Sequence, residues 1–244
     1  MQTIVTAGKF SPLTKPHSFV LATCVKPGYI ITDVGFDRPR CQLDLLRTYS
    51  SDLNKVDCTA WEAARATSQA TAVFSGISIT WLDGTSMTYF GPYIKDSNPT
   101  EKLLQEASRV YGQGRQVKCV LSIGTGKLAQ KKMNKKPFAP HFVKTVIETV
   151  KSCEDSHNIL AERFRARNPQ NQVYFRFNLR QVAEDVHLHD WNQIDRLGAD
   201  IKSQLAVEPM KTEIGKLAGL LCYHDPGREY HQLGDLSIPI DESP

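Results

Sequence analysis

Residues 117–123 read VKCVLSI, an almost unbroken apolar run closed by Gly124. Such a run is short for a helix, and its valine and isoleucine suit a strand covered on both faces, the pattern of a parallel sheet held between helices. A strand of that kind obliges the rest of the chain to supply two covering layers. The remaining sequence alternates accordingly. Residues 17–23 (HSFVLAT) and 45–50 (LLRTYS) read as strands with Gly and Pro punctuation between them. Residues 73–81 and 86–90 read as two more, joined at Leu82-Asp83-Gly84-Thr85, where Asp-Gly supplies the positive φ of a tight hairpin. Residues 173–178 (VYFRFN) form a further strand.

Between them lie helical patterns. Thr59 and Glu62 stand at capping-box spacing before an alanine-rich stretch, so a helix is expected to open at Thr59. Asn98-Pro99 provides a cap and a first-turn proline for a helix with Leu103, Leu104, Ala107, Val110 and Tyr111 on one face, stopped by Gly112. A helix carrying Phe142, Val143, Val146, Ile147 and Val150 is expected next, then a separate one near 158–167. Residues 190–205 predict a helix with Trp191, Ile194, Gly198, Ile201 and Leu205 inward, and a last helix after Pro209 turns Met210, Ile214, Leu217 and Leu221 inward. The expected fold is α/β, a mostly parallel sheet flanked by helices, as one domain over residues 1–223. Residues 224–244 read as a polar C-terminal tail that frays.

A chain of 244 residues that is 41% hydrophobic can bury a substantial core. With 23% charged residues and a net charge of +4, nothing in the overall balance favours nucleic acid as a partner. The six cysteines are scattered singly, without CxxC, and read as reduced core thiols. The first residues lack the pattern of a signal peptide and no run approaches a membrane span, so a cytoplasmic protein with at most peripheral membrane contact is expected.

Several groupings invite a chemical reading. Residues 122–127 (SIGTGK) superficially resemble a phosphate loop, with glycines after a buried strand, but lack the GxxxxGK[ST] spacing. Asp185, His187, His189 and Asp190 offer metal-like ligands without a further partner at a recognisable distance, so no metal and no cofactor is expected. Lys127, Lys131, Lys132, Lys135 and Lys136 form a solvated basic loop or a contact for anionic lipid headgroups. Trp81, Tyr89, Phe90 and Tyr93 either pack the core or line an acyl pocket.

Four segments in order, FVLAT (19–23), LLRTYSS (45–51), WEAARATSQATAVF (61–74) and VLSIGTGKL (120–128), resemble the fungal branch of the patatin-like phospholipases. DSNPTEKLLQEA (96–107) is similar to that family's NP-helix, and YFRFNLRQVAEDVHLHDW (174–191) to its last strand and the following loop. The resemblance implies a patatin-like fold, a lipid or acyl ester as ligand, and a Ser–Asp dyad. In that family the serine sits in GxSxG at a strand-to-helix turn and a glycine-rich loop binds the oxyanion.

Here the dyad is not found. The glycines spaced four apart, Gly215 and Gly219, hold Leu217 between them, and there is no Gly-Gly pair. Both family elements precede the segment resembled by residues 19–23, so the chain is expected to correspond to the C-terminal part of the domain, lacking the nucleophile-bearing half. Such a piece would pair with a second copy of itself or with a complementing chain. Laying the family's DGGxGxNNP on GPYIKDSNP places Gly91 where the aspartate belongs. Nearby substitutes have plainer roles: Asp83 in the hairpin turn, and Asp96 near the positive end of the NP-helix. The expectation is a degenerate, non-catalytic member of the family. The alternative is an active acyl hydrolase or acyltransferase whose serine comes from upstream sequence or a partner chain.

Overall fold

A computed structural model describes residues 3–6, 17–25, 41–49, 56–68, 75–91, 98–124, 126, 140–167, 169–178, 191–223, 228 and 230–236. In chain order the elements are β1 (Thr3–Thr6), β2 (Phe19–Val25), β3 (Cys41–Arg47), α1 (Ala60–Ser68), β4 (Ile77–Thr80), β5 (Ser86–Phe90), α2 (Thr100–Tyr111), β6 (Gln116–Val117), β7 (Cys119–Ile123), α3 (Pro140–Arg167) and β8 (Tyr174–Phe177). They continue as a 3-10 turn at Trp191–Gln193, α4 (Ile194–Leu205), α5 (Met210–Cys222), β9 (His231–Gln232) and the single turn α6 (Leu233–Leu236). The chain divides into two compact units, one of Ser11–Ser97 and Phe138–Thr149, the other of Met1–Phe10, Asn98–Pro137 and Val150–Pro244.

The first unit is a four-stranded sheet in the order β3-β2-β5-β4, antiparallel throughout, with α1 on one face. Alternation along the strands turns Ala22, Cys24, Leu46, Met87, Tyr89 and Ile79 to that face, where Ala63 and Ala66 of α1 pack against them. The capping box forms as expected: Thr59 N–H donates to Glu62 Oε2 at 2.7 Å and Glu62 N–H to Thr59 Oγ1 at 3.2 Å. The hairpin also forms. Gly84 has φ of 84°, which its missing Cβ permits, and Trp81 N–H donates to Thr85 C=O at 2.7 Å.

In the second unit β7 lies between β1, antiparallel to it, and β8, parallel to it. Val120 and Ser122 face one way with Tyr174, toward a cluster of Leu104 from α2 and Leu160 and Phe164 from α3. Cys119 and Leu121 face the other way with Phe175, against Leu217 and Leu220 of α5. The strand covered on both faces is therefore present, although it is interrupted at Lys118 into β6 and β7.

The mixed α/β class holds, but the sheets are not mostly parallel: among the described strands β7 and β8 form the parallel pair, and the other pairings are antiparallel. The reason is physical. Burial on two faces reports how many layers cover a strand and carries no information about the direction of its neighbours. Three further expectations change. The helix expected to break before residue 158 runs through as the 28-residue α3, which has no glycine or proline between His141 and Arg167 to stop it. Ile194 is 64% exposed and no residue of α4 is fully buried, so the predicted inward stripe is covered only in part, at Gly198, Ile201 and Leu205. Within the expected tail, Leu233 and Leu236 are fully buried beside Leu104 and Val117, each worth about 1.5–3 kcal/mol of burial, which holds this stretch against the core. No helix of the described residues is long and apolar enough to cross a membrane.

Candidate functional site

The start of α2 at Asn98-Pro99 and the glycine after β7 meet near the C-terminal ends of the parallel strands β7 and β8, the edge at which open α/β sheets commonly place their ligands. The parallel register sets Ser122 beside Arg176, on the same face as the Val120 and Tyr174 pair. Arg176 Nη1 donates to Ser122 Oγ at 2.9 Å, and Thr100 Oγ1 lies 3.4 Å from the same oxygen. The Thr100 hydroxyl donates its proton to Asn98 Oδ1 at 2.7 Å, while Asn98 Nδ2 donates to the Cys153 carbonyl at 3.3 Å. The cap falls one residue later than the Asn-Pro signature predicts: Pro99 is the N-cap of α2, its carbonyl accepting the Leu103 N–H at 2.9 Å, while Asn98 just before it accepts the Thr100 N–H at 3.3 Å and fastens the start of α2 to α3.

Charge is neutralised inside the cluster. The Arg176 side chain is buried and pairs with Glu154 through Nη2 at 3.3 Å. The same Glu154 Oε1 accepts from Asn178 Nδ2 at 2.8 Å, and Asn178 Oδ1 accepts the Gly126 N–H at 2.9 Å. Gly124 N–H donates to the Phe177 carbonyl at 2.8 Å. A Cβ on Gly124 would overlap the Asn178 side chain, so glycine is required there for close approach. After β7 the Gly124 and Gly126 amides are committed to the protein rather than presented to an anion. His157 Nδ1 lies 3.1 Å from Tyr174 Oη. Burial pushes the Tyr174 phenol up, against the opposing pull of Arg176 and of hydrogen bonds with Ser122 and Thr100.

Ser122 is fully enclosed, and the group bonded to it at 2.9 Å is a guanidinium, not a base. An attacking oxygen needs exposure and a proton acceptor. The cluster ties α2, α3, β7 and β8 together. It was partly legible: an arginine inside the otherwise aromatic YFRFN alternates onto the Tyr174 face, a sign of a buried, paired charge. The partner Glu154, in mid-helix, had no such marker.

In the other unit, Gly91 follows β5 and is buried, and it has no side chain to orient or deprotonate a nucleophile. Asp83 lies on the surface, where its Oδ1 accepts the Thr85 N–H at 2.8 Å. Hydrogen bonds from Thr85 hold its carboxyl below the ordinary range, so it stays an ionised turn group. Asp96, Tyr93, the cluster of Asp185, His187, His189 and Asp190, and the lysines 127, 131, 132, 135 and 136 lie outside the described residues. Among the described residues no group of His, Cys, Asp and Glu is arranged to hold a metal. Cys24, Cys119 and Cys153 are buried thiols and Cys58 is half-buried, but Cys222 is exposed, against the expectation of core placement.

The aromatic residues left open in the sequence are decided in part. Tyr89 is core, and its hydroxyl donates to Asp44 Oδ2 at 2.8 Å while accepting from Trp81 Nε1 at 2.7 Å. No family model matches the chain, and no curated protein and no solved structure matches it either.

Proposed function

We propose that the chain is a non-catalytic relative of the patatin-like lipid acyl hydrolases that acts by binding lipid or acyl chains. The observation that carries this reading is Gly91, a buried glycine at the end of β5 where the resemblance calls for the dyad aspartate. Two further placements support it: Asp83 is engaged in a surface turn, and Ser122 is enclosed against Arg176. Asn98-Pro99 at the start of α2 and the SIGTG segment at the end of β7 are compatible with a retained scaffold. The test is twofold. Purified protein should leave p-nitrophenyl acyl esters unhydrolysed while displacing or quenching a fluorescent fatty acid. Hydrolysis abolished by replacing one particular serine would sink the reading and restore the hydrolase or acyltransferase alternative.

Association with a partner is the second reading, favoured by α4, an amphipathic helix that buries no residue fully, and by exposed Val207 and Tyr223 near its neighbour α5. Sedimentation equilibrium at rising concentration distinguishes it from lipid binding, since a self-associating chain gains mass without lipid.

A further inference from the structure

We infer that residues 230–236 form a clasp, closed at neutral pH and released by acid, on the compact unit that contains them. The geometry is that of a short strap. β9 pairs with β6, setting His231 opposite Val117. Leu233 N–H then donates to the Arg115 carbonyl at 2.9 Å and Gly234 N–H to the Gln113 carbonyl at 2.8 Å. Leu233 and Leu236 insert into the cluster of Leu104, Val117, Leu160 and Phe164. Two arginines of α3 hold the far end: Arg163 Nη1 donates to the Leu236 carbonyl at 2.9 Å, and Arg167 pairs with Asp235 at 2.9 Å.

Of the strap's titratable side chains, Tyr230, His231 and Asp235, the buried one is His231. Its ring stands edge-on to Phe164, centroids 6.3 Å apart, and its Nε2 is enclosed without a hydrogen-bond partner. The charged groups that act on it are Arg167 from α3, Arg228 from the stretch before β9, and Asp235 from α6, while β6 sets the apolar Val117 opposite. Neutral, the ring can leave Nε2 as a bare lone pair. Protonated, it would bury an unpaired N–H and a positive charge beside two guanidinium groups, with one carboxylate opposing that is itself bonded to Arg167.

Burial holds the imidazole's pKa below its ordinary value, with Asp235 pulling it up and Arg167 and Arg228 pulling it down. A depressed histidine pKa means that the closed clasp binds fewer protons than the open one. Its stability is therefore complete above about pH 6.5 and declines as pH falls below that, through the value in the closed state. The strap is short and carries few backbone bonds, so it opens locally. Opening uncovers Leu233, Leu236 and the side of the core they cover.

The test is hydrogen exchange of the Leu233 and Gly234 amides in the full chain at pH 7.5 and 5.5, corrected for intrinsic rates, together with NMR titration of the His231 ring. Protection of these amides should fall severalfold relative to Leu217 and Leu220 of α5, toward the roughly tenfold ceiling that one histidine of open-state pKa about 6.5 sets between these two pH values. The fall should vanish in His231→Phe and His231→Gln, and the ring should titrate below 6.5. Equal protection at both pH values, an undiminished fall in the two variants, or a ring titrating at or above 6.5 would overturn the clasp. The ring titration decides the matter in the unaltered protein even if neither variant folds.

Discussion

Tyr89 is fully buried, and its hydroxyl sits between Trp81 and Asp44, the latter on β3, two strands away across β2. Tyr89→Phe removes both bonds and deprives a buried carboxylate of its phenol donor. It should lower stability by about 2–4 kcal/mol, read as a reduced urea midpoint at unchanged slope. Burial and then the Asp44 charge push the Tyr89 phenol well above its ordinary value. A raised pKa means the neutral phenol is favoured by folding, so its contribution is complete below about pH 10 and is lost as pH rises through the folded value. Of the eight tyrosines, Tyr89 should stay silent in an alkaline titration. Wild type and Tyr89→Phe should then show the same absorbance rise at 295 nm until the chain unfolds. Gly124 makes the opposite point, because there the missing atom matters. Gly124→Ala should displace Asn178, break its bond to Gly126, and cost about 1–3 kcal/mol in the same denaturation assay.

At the scale of elements, local signals fared best where both halves of a motif are close in sequence. The Thr59 and Glu62 capping box and the Asp83-Gly84 hairpin each complete their hydrogen bonds within four residues, so tertiary context had little to change. Asn98 mixes the two scales. The helix start at Asn98-Pro99 was readable, although the cap falls on Pro99, whereas the bond from Asn98 to the Cys153 carbonyl depends on α3, distant in the chain. Asn98→Ala should therefore cost more than a surface cap, about 2–3 kcal/mol by chemical denaturation, and should loosen exchange protection at the start of α2. Helices were misjudged where the pattern stated a stripe but could not state a neighbour. On α5 the buried positions are Leu217 and Leu220, while Leu221 is partly exposed, one residue of rotation from the stripe expected. On α4 no residue is fully buried, and Ile194 of the expected stripe stands exposed.

For the whole molecule, the central prediction concerns what cannot be restored by a single change. Gly91→Asp places a carboxylate at a buried position, which should destabilise by about 3–5 kcal/mol if it finds no partner. Ester hydrolysis should remain at background, because the aspartate alone supplies no nucleophile. Serine-dependent turnover in that variant would contradict the non-catalytic reading. The chain's own residues determined its mixed α/β character, its caps and turns, the two-sided burial of β7 and the lack of an aspartate at position 91, since each rests on local geometry or on a side chain being present. Strand direction, the joining of α3, the burial of Arg176 against Glu154 and the return of Leu233 and Leu236 to the core were decided only in three dimensions. Each of these depends on which distant residue fills the space opposite, and a pattern of burial along one segment does not encode the identity of that residue.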